Sequence, residues 1–407
     1  MLKILLVLLF AIVTTLPAVA EVISLKRGIA LDTWITWPTD ERLSEPGIIS
    51  GFPEWRGAVT DKELAGLKSA GFDFVRLPLD PAVFLLPKNR TFRGKLIGGM
   101  LKAIDRVEAA GLKVVVDIHA LPASPGWRRI GVQSYLATDA AFADYTALIS
   151  ELATSIATRN PARVAFEPIN EPTVDCDWES EGHVRAWPAR ALQLHKAART
   201  AAPNLTIIMT GACWGSAWGL THLDPAVFHD DNLLWTFHNY EPFIFTHQGA
   251  DWTDGMQGYV RGLAYPPERK QRKAILKEAE ARIAAAKLNK SQKAKLRKDL
   301  RYTLDKYFKS PQQDMDLAFA NVKKWAKKHA IPPARIFLGE FGAHRVRSPA
   351  EDDPSRARFL HDMTTRAEKT GYAWSVWAWS DSFGIASQKD SHDLSPVLLE
   401  GLGLRGG

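Results

Sequence analysis

The chain has 407 residues, 46% of them apolar and 24% charged, with a formal net charge of +7. That is ordinary globular composition, and it excludes a disordered, collagen-like or low-complexity protein. Between residues 268 and 309 stand 15 Lys and Arg against 5 Asp and Glu, so the basicity belongs to one segment, and the slightly acidic remainder argues against nucleic acid as a partner.

In chain order, Lys3 precedes an apolar run over residues 4–13 that is too short to span a bilayer, and Ala18-Val19-Ala20 supplies a small-residue cleavage site. Residues 1–20 are therefore expected to be a signal peptide, and the mature chain 21–407 a single exported domain, periplasmic or secreted. Apolar runs rich in β-branched and aromatic residues follow at 28–34, 72–79, 113–119, 163–171, 205–211, 232–240, 335–341 and 373–379. Most are near-continuous, as in parallel strands covered by helices. Helix-like stretches such as 61–70 and 94–110 lie between them and end before Gly71 and Gly111, which suit helix C-termini. Alternation of this kind predicts a (β/α)8 barrel, with a doubly wound open sheet as the alternative. Between the sixth and seventh runs, residues of about 266–309 carry the basic excess, with apolar residues at helical spacing on either side of a break at 289–291. This predicts a helical hairpin inserted on the barrel. Ser310-Pro311 reads as the N-cap and first position of the helix that follows. Only two cysteines occur, Cys176 and Cys213, and the sequence leaves open whether they pair.

In a barrel of this class, chemistry sits at the C-terminal ends of the strands. The polar residues at those positions are Arg76, Asp117, His119, Asn170, Glu171, His238, Tyr240 and Glu340, with Trp377 on the eighth run. Each alone is commonly a cap, an ion-pair partner or a satisfied buried group. Together they put two carboxylates, Glu171 and Glu340, on opposite sides of one barrel mouth. Glycoside hydrolysis requires such a pair, one acid for the leaving oxygen and one carboxylate for the anomeric carbon. The 14 Trp also suit a cleft that binds sugar rings, although tryptophan-rich cores exist.

The stretches VVDIHALP (115–122), FEPINEP (166–172), FHNY (237–240), FLGEFG (337–342) and WSVW (374–377) resemble glycoside hydrolase family 5, the cellulase family of the Asn-Glu retaining clan. The resemblance runs from about Gly28 to Gly384 and omits the basic segment. It implies that Glu171 is the acid/base and Glu340 the nucleophile. It also implies substrate-binding or supporting roles for Arg76, His119, Asn170, His238, Tyr240 and Trp377. Trp34, Trp37, Trp127, Trp214 and Trp218 are looser candidates for flanking sugar subsites, with core packing as the alternative. Asp117 and Glu167 are read as supporting residues lower in the barrel. No metal or organic cofactor is required, because protein carboxylates supply the acid, base and nucleophile. The implied substrate is a β-1,4-glucan; a mannan or another β-glucan is the runner-up. A non-catalytic polysaccharide-binding barrel and an interaction protein acting through the hairpin are the readings from other classes. A monomer is expected, with electrostatic contact between the basic insertion and anionic envelope material. Leu31-Asp32-Thr33-Trp34 departs from the family's usual Asn-containing first strand.

Overall fold

Eight parallel strands close on themselves in sequence order: β1 (Arg27–Ala30), β2 (Phe74–Leu79), β3 (Lys113–Ile118), β4 (Val164–Glu167), β5 (Thr206–Thr210), β6 (Leu233–His238), β7 (Ile336–Phe341) and β8 (Ala373–Val376), with β8 pairing back onto β1. This is the expected (β/α)8 barrel, not an open sheet. The computed structural model describes residues 21–32, 34–36, 42–44, 58–121, 131–177, 186–253, 255–345, 353–388 and 391–404. Several strands stop two to four residues before the apolar runs do, because the chain leaves the ladder at the barrel mouth. The candidate chemistry is carried by residues inside the strands, such as Arg76, His238 and Glu340, and by residues just past them, such as His119, Asn170, Glu171, Tyr240 and Trp377.

The connecting helices are α1 (Asp61–Ala70), α2 (Arg93–Ala109), α3 (Asp139–Ile156), α4 (Trp187–Ala201), α5 (Ala217–Thr221), α6 (Arg272–Ala285), α7 (Lys290–Lys309), α8 (Gln313–Lys328) and α9 (Pro354–Thr370). Local sequence sets their ends. Thr60 and Glu63 form a reciprocal capping box at the start of α1, and Gly71 closes that helix at φ 109°, where a side chain would be strained. Ser310 does not open α8 as its sequence context suggests. It terminates α7, its N–H bonding Lys306 O, and α8 begins after Gln312.

The basic segment folds as the helix pair α6–α7, which leans on the barrel more closely than its charge suggests. Ile275, Ala279 and Ile283 of α6 and Leu300, Leu304 and Tyr307 of α7 are buried in the same apolar layer as the outer faces of the strands. Arg282 donates to Tyr259 O and Tyr307 Oη to Ala264 O. The opposite face of α7 carries Lys295, Lys298, Arg301, Tyr302 and Lys309 in solvent.

Candidate active site

Inside the barrel the side chains form layers, as alternation along a strand requires. The lower layer is apolar: Phe74, Val115, Ala165, Ile208, Leu234, Phe337 and Ala373 make one cluster with Ile23 and Leu25. Two residues further up the strands the layer turns polar, with Arg76, Asp117, Glu167, Thr210, Thr236 and Ser375 all buried. Arg76 is its hub. Its Nε and Nη2 meet Glu167 at 2.8 and 3.0 Å, Nη2 lies 3.0 Å from Asp117 Oδ2, and Nη1 bonds Glu340 Oε1. Burial opposes the charge on this guanidinium, but the Asp117, Glu167 and Glu340 carboxylates outweigh it and drive its pKa further up. Glu167 is pushed up from its ordinary value by its own burial.

Glu340 reaches this layer through an irregularity. Phe337 points into the barrel, so strict alternation would send Leu338 and Glu340 to its outer side. The β6–β7 register shifts between Phe237 and His238, so that Leu338 pairs with Phe237 but Glu340 with His238. This bulge turns Glu340 inward. It needs a glycine: a Cβ on Gly339 would fall 2.3 Å from Thr236 Oγ1 and 3.1 Å from His238 Nε2. Once inside, Glu340 has Arg76 on Oε1 and the Tyr240 hydroxyl donating to Oε2 at 2.9 Å. Burial pushes the Glu340 carboxyl up, but His238, Arg76 and His119 pull it down to about 2. It is a carboxylate, held by strand residues, through the whole neutral range.

Glu171 sits differently. Strand β4 has ended, Asn170 N still bonds Ile118 O, and Glu171 takes a left-handed φ of 39° that lifts its side chain to the mouth, where it is 20% exposed. Nδ1 of His238 lies 2.7 Å from its Oε1 and 3.6 Å from Glu340 Oε2. Burial lowers the His238 pKa, but Glu340 and Glu171 more than offset this and raise it. A carboxylate oxygen of Glu171, one of Glu340 and a His238 ring nitrogen all lie within 4.8 Å of one another. Those three are also the one set among the described residues with metal-ligand spacing. Their ligating atoms are already engaged by one another and by Arg76 and Tyr240, and a cation there would stand against the buried guanidinium.

The remaining tautomers follow from donor counting. Arg76 Nη2 donates to Asn170 Oδ1 at 2.7 Å, so Asn170 presents its NH2 to His119 Nε2 at 3.0 Å. His119 therefore carries its proton on Nδ1, which donates to Asp117 Oδ2 at 2.6 Å. Its ring stacks on Trp377, 4.9 Å between centroids. Trp377 packs with Ala30, Ala378 and Phe383 at the rim, and a Cβ on Gly342 would strike its carbonyl at 2.0 Å.

All eight residues singled out from the sequence thus converge on one cleft. The looser tryptophans differ among themselves. Trp34 is fully buried in the core with Arg106 over its ring, so it belongs to packing and offers no sugar platform. Trp214 is 45% exposed and Trp218 half-buried against His222. Trp37 and Trp127 lie outside the described residues. Asp32 stands in the segment that departs from the family's usual first strand, and the fold gives it a role there. Its buried carboxylate accepts the N–H groups of Trp379, Ser380 and Asp381 at 2.8, 3.0 and 2.8 Å, fastening the loop just past Trp377. A lone Asp after a strand carries no local signal for partners almost 350 residues away. Cys176 and Cys213 are joined in a disulfide, Cα–Cα 4.7 Å.

A family model described as Cellulase (glycosyl hydrolase family 5) matches residues 43–383. Endoglucanase C of Acetivibrio thermocellus is 26% identical over 394 residues, which cover 94% of this chain and 99% of that protein. Endoglucanase 3 of Fibrobacter succinogenes is 26% identical over 336 residues; the match takes in 78% of this chain but only 46% of that relative's length. Among solved structures, Thermotoga maritima Cel5A in complex with cellobiose superposes with a TM-score of 0.62 at 22% identity, covering 93% of this chain and 97% of that one. The cellulose synthase subunit Z of Clostridioides difficile gives 0.61 at 21%, covering 93% and 99%. These two likenesses concern the barrel fold. With a family match that runs from the segment after β1 to the loop beyond β8, the chain belongs to glycoside hydrolase family 5, the cellulase family.

Proposed function

We propose that the protein is an exported endo-1,4-β-glucanase that retains anomeric configuration by double displacement. The observation that carries this reading is the closeness of the two glutamates, one carboxylate oxygen of each lying within 4.8 Å of one of the other. Retaining glycosidases place their carboxyl groups about 5–5.5 Å apart, whereas inverting enzymes need about 6.5–9.5 Å to admit a water. Glu340, ionised and gripped at both oxygens, attacks the anomeric carbon. Glu171, at the solvent edge beside His238, protonates the departing oxygen and then deprotonates the water that releases the sugar from Glu340. Asn170 offers its amide to the 2-hydroxyl, where a hydrogen bond that strengthens at the transition state adds to rate. His119 and Trp377, stacked on each other, form the wall and floor for the sugar being cleaved.

The test has two parts. Reducing-end assays on soluble cellulose derivatives, mannans, xyloglucan and β-1,3-glucans should favour the β-1,4-glucan, and the mannan or another β-glucan takes its place if that polymer is cut faster. Proton NMR of the first-formed sugar should show the β anomer. An initial α product refutes the role given to Glu340.

Export rests on the residues 1–20 pattern, and N-terminal sequencing of protein from the producing cell should begin at Glu21. The solvent face of α7 supports a second element of the proposal, contact with anionic envelope material. Lys295, Lys298 and Lys309 there form no ion pair among the described residues, whereas Arg301 is tied to Glu280 and Arg272 to Asp305.

A further inference from the structure

We propose that the Cys176–Cys213 disulfide is a positioning element for the acid/base: it locks the loop after β5 against the loop that carries Glu171, and so holds Glu171 on His238. This inference rests on the reading of Glu171 given above.

The two carboxylates are held by different means. Glu340 belongs to a strand and is bonded by Arg76 and Tyr240. Glu171 belongs to a loop, and its hydrogen bond within the site is the one to His238. Of the six non-glycine residues with positive φ among those described, four lie in just two loops: Glu171 and Asp175 after β4, Cys213 and Trp214 after β5. Left-handed backbone is costly for such residues and persists only where the surroundings enforce it. Here three ties run between the loops. Trp214 N donates to Pro172 O and Cys213 N to Val174 O, both at 3.1 Å, and the disulfide joins Cys213 to Cys176.

The far side of the β5 loop abuts His238. Ser216 bridges to His238 through the backbone, and a Cβ on Gly215, itself at φ 60°, would stand 3.5 Å from His238 Nδ1. The loop is thus wedged between the two partners of the Glu171–His238 bond. Without the covalent link, two backbone hydrogen bonds would be left to hold these two loops against each other among the described residues. The disulfide fixes the distance across which Glu171 and His238 meet. Opening it frees the acid/base and leaves the nucleophile, anchored on β7 and β2, where it is.

The experiment compares kcat/KM on two cellobiosides, one with a phenyl leaving group that needs an acid and one with a 2,4-dinitrophenyl group that does not. It uses wild type, wild type treated with dithiothreitol, and Cys176→Ser/Cys213→Ser. Dithiothreitol breaks the S–S bond to two thiols and is itself oxidised to its cyclic disulfide. General acids contribute about 10²–10⁴ in rate, and a displaced but present acid should forfeit about tenfold on the phenyl glycoside and less than about twofold on the dinitrophenyl one. The ratio of the two values is independent of the fraction of folded enzyme. An unchanged ratio, whether both activities survive or both vanish, overturns the proposal. Glu171→Ala serves as reference. If that variant shows no leaving-group dependence, the reading of Glu171 itself fails; if it does and the disulfide-free enzyme does not, only the positioning role falls.

Discussion

Nδ1 of His238 stands 2.7 Å from Oε1 of Glu171, so a single imidazole ties the mouth of the cleft to the buried charge layer below it. Because the fold raises the His238 pKa, chiefly through Glu340 once burial is overcome, the folded state binds a proton more tightly there than the unfolded chain does. The contribution to stability is fully present below the unfolded value of about 6.5 and is lost as pH rises through the raised one. Urea midpoints of wild type and His238→Gln should therefore converge as pH is raised from 6 to 9. A constant gap across that range contradicts the assignment.

The two glutamates should separate by leaving group. Glu171→Ala should nearly abolish cleavage of polymer while sparing aryl glycosides whose leaving groups need no proton. Glu340→Ala should remove both activities, because no nucleophile remains. Because Glu171 is also the base for release of the sugar, kcat/KM, which reports the attack step, decides it on carboxymethylcellulose and on dinitrophenyl cellobioside, and equal losses on both substrates in both variants contradict the division of roles.

Asp32 should matter more than its distance from the glutamates suggests. Asp32→Ala strands three N–H groups, two of them buried and one partly buried, and hydrogen bonds to a charged group contribute about 1.5–3 kcal/mol each when measured singly. We expect a loss of at least about 3 kcal/mol in denaturant unfolding, with Asp32→Asn, which retains one oxygen, falling between it and wild type. The loop these bonds fasten follows Trp377, so KM for cellotetraose should rise more than kcat falls. No change in KM would separate the loop from sugar binding.

The solvent face of α7 calls for charge substitution and not deletion, because the inner faces of α6 and α7 are part of the apolar layer. Lys295→Ser/Lys298→Ser/Lys309→Ser should leave turnover of cellotetraose unchanged. Wild type should sediment with vesicles containing phosphatidylglycerol at about 20 mM salt and release them at about 300 mM, where the Debye length falls below about 10 Å. The triple variant should fail to sediment at either. If it binds as well as wild type at low salt, the surface contact is refuted.

Much of the barrel is legible in the sequence because the signals are local. A run dominated by Val and Ile, such as 114–118, points to burial on both faces, and an Ala-Gly closing an amphipathic stretch marks a helix end wherever the helix packs. The eight site residues are legible for a related reason: each lies within or just past a strand, and strand ends in this architecture gather at one mouth. Ser310 shows the limit, since the end of α7 at Lys309 and the start of α8 at Gln313 compete for the same short stretch and only packing chooses between them.

What the sequence by itself determined was therefore the order of strands and helices and the identity of the polar groups at the mouth. Only the tertiary structure decided which way they face and what they touch. Alternation along β7 points Glu340 outward, and the bulge that turns it inward depends on how β6 happens to pair with it. The bond of Glu171 to His238, the pairing of Cys176 with Cys213, the Arg106 guanidinium over Trp34 and the three N–H groups on Asp32 are all contacts between residues far apart in the chain. Periodicity and propensity act over a few residues, whereas these arrangements minimise unpaired charge and unfilled volume across the whole barrel. Their energies do not exist until the chain has closed.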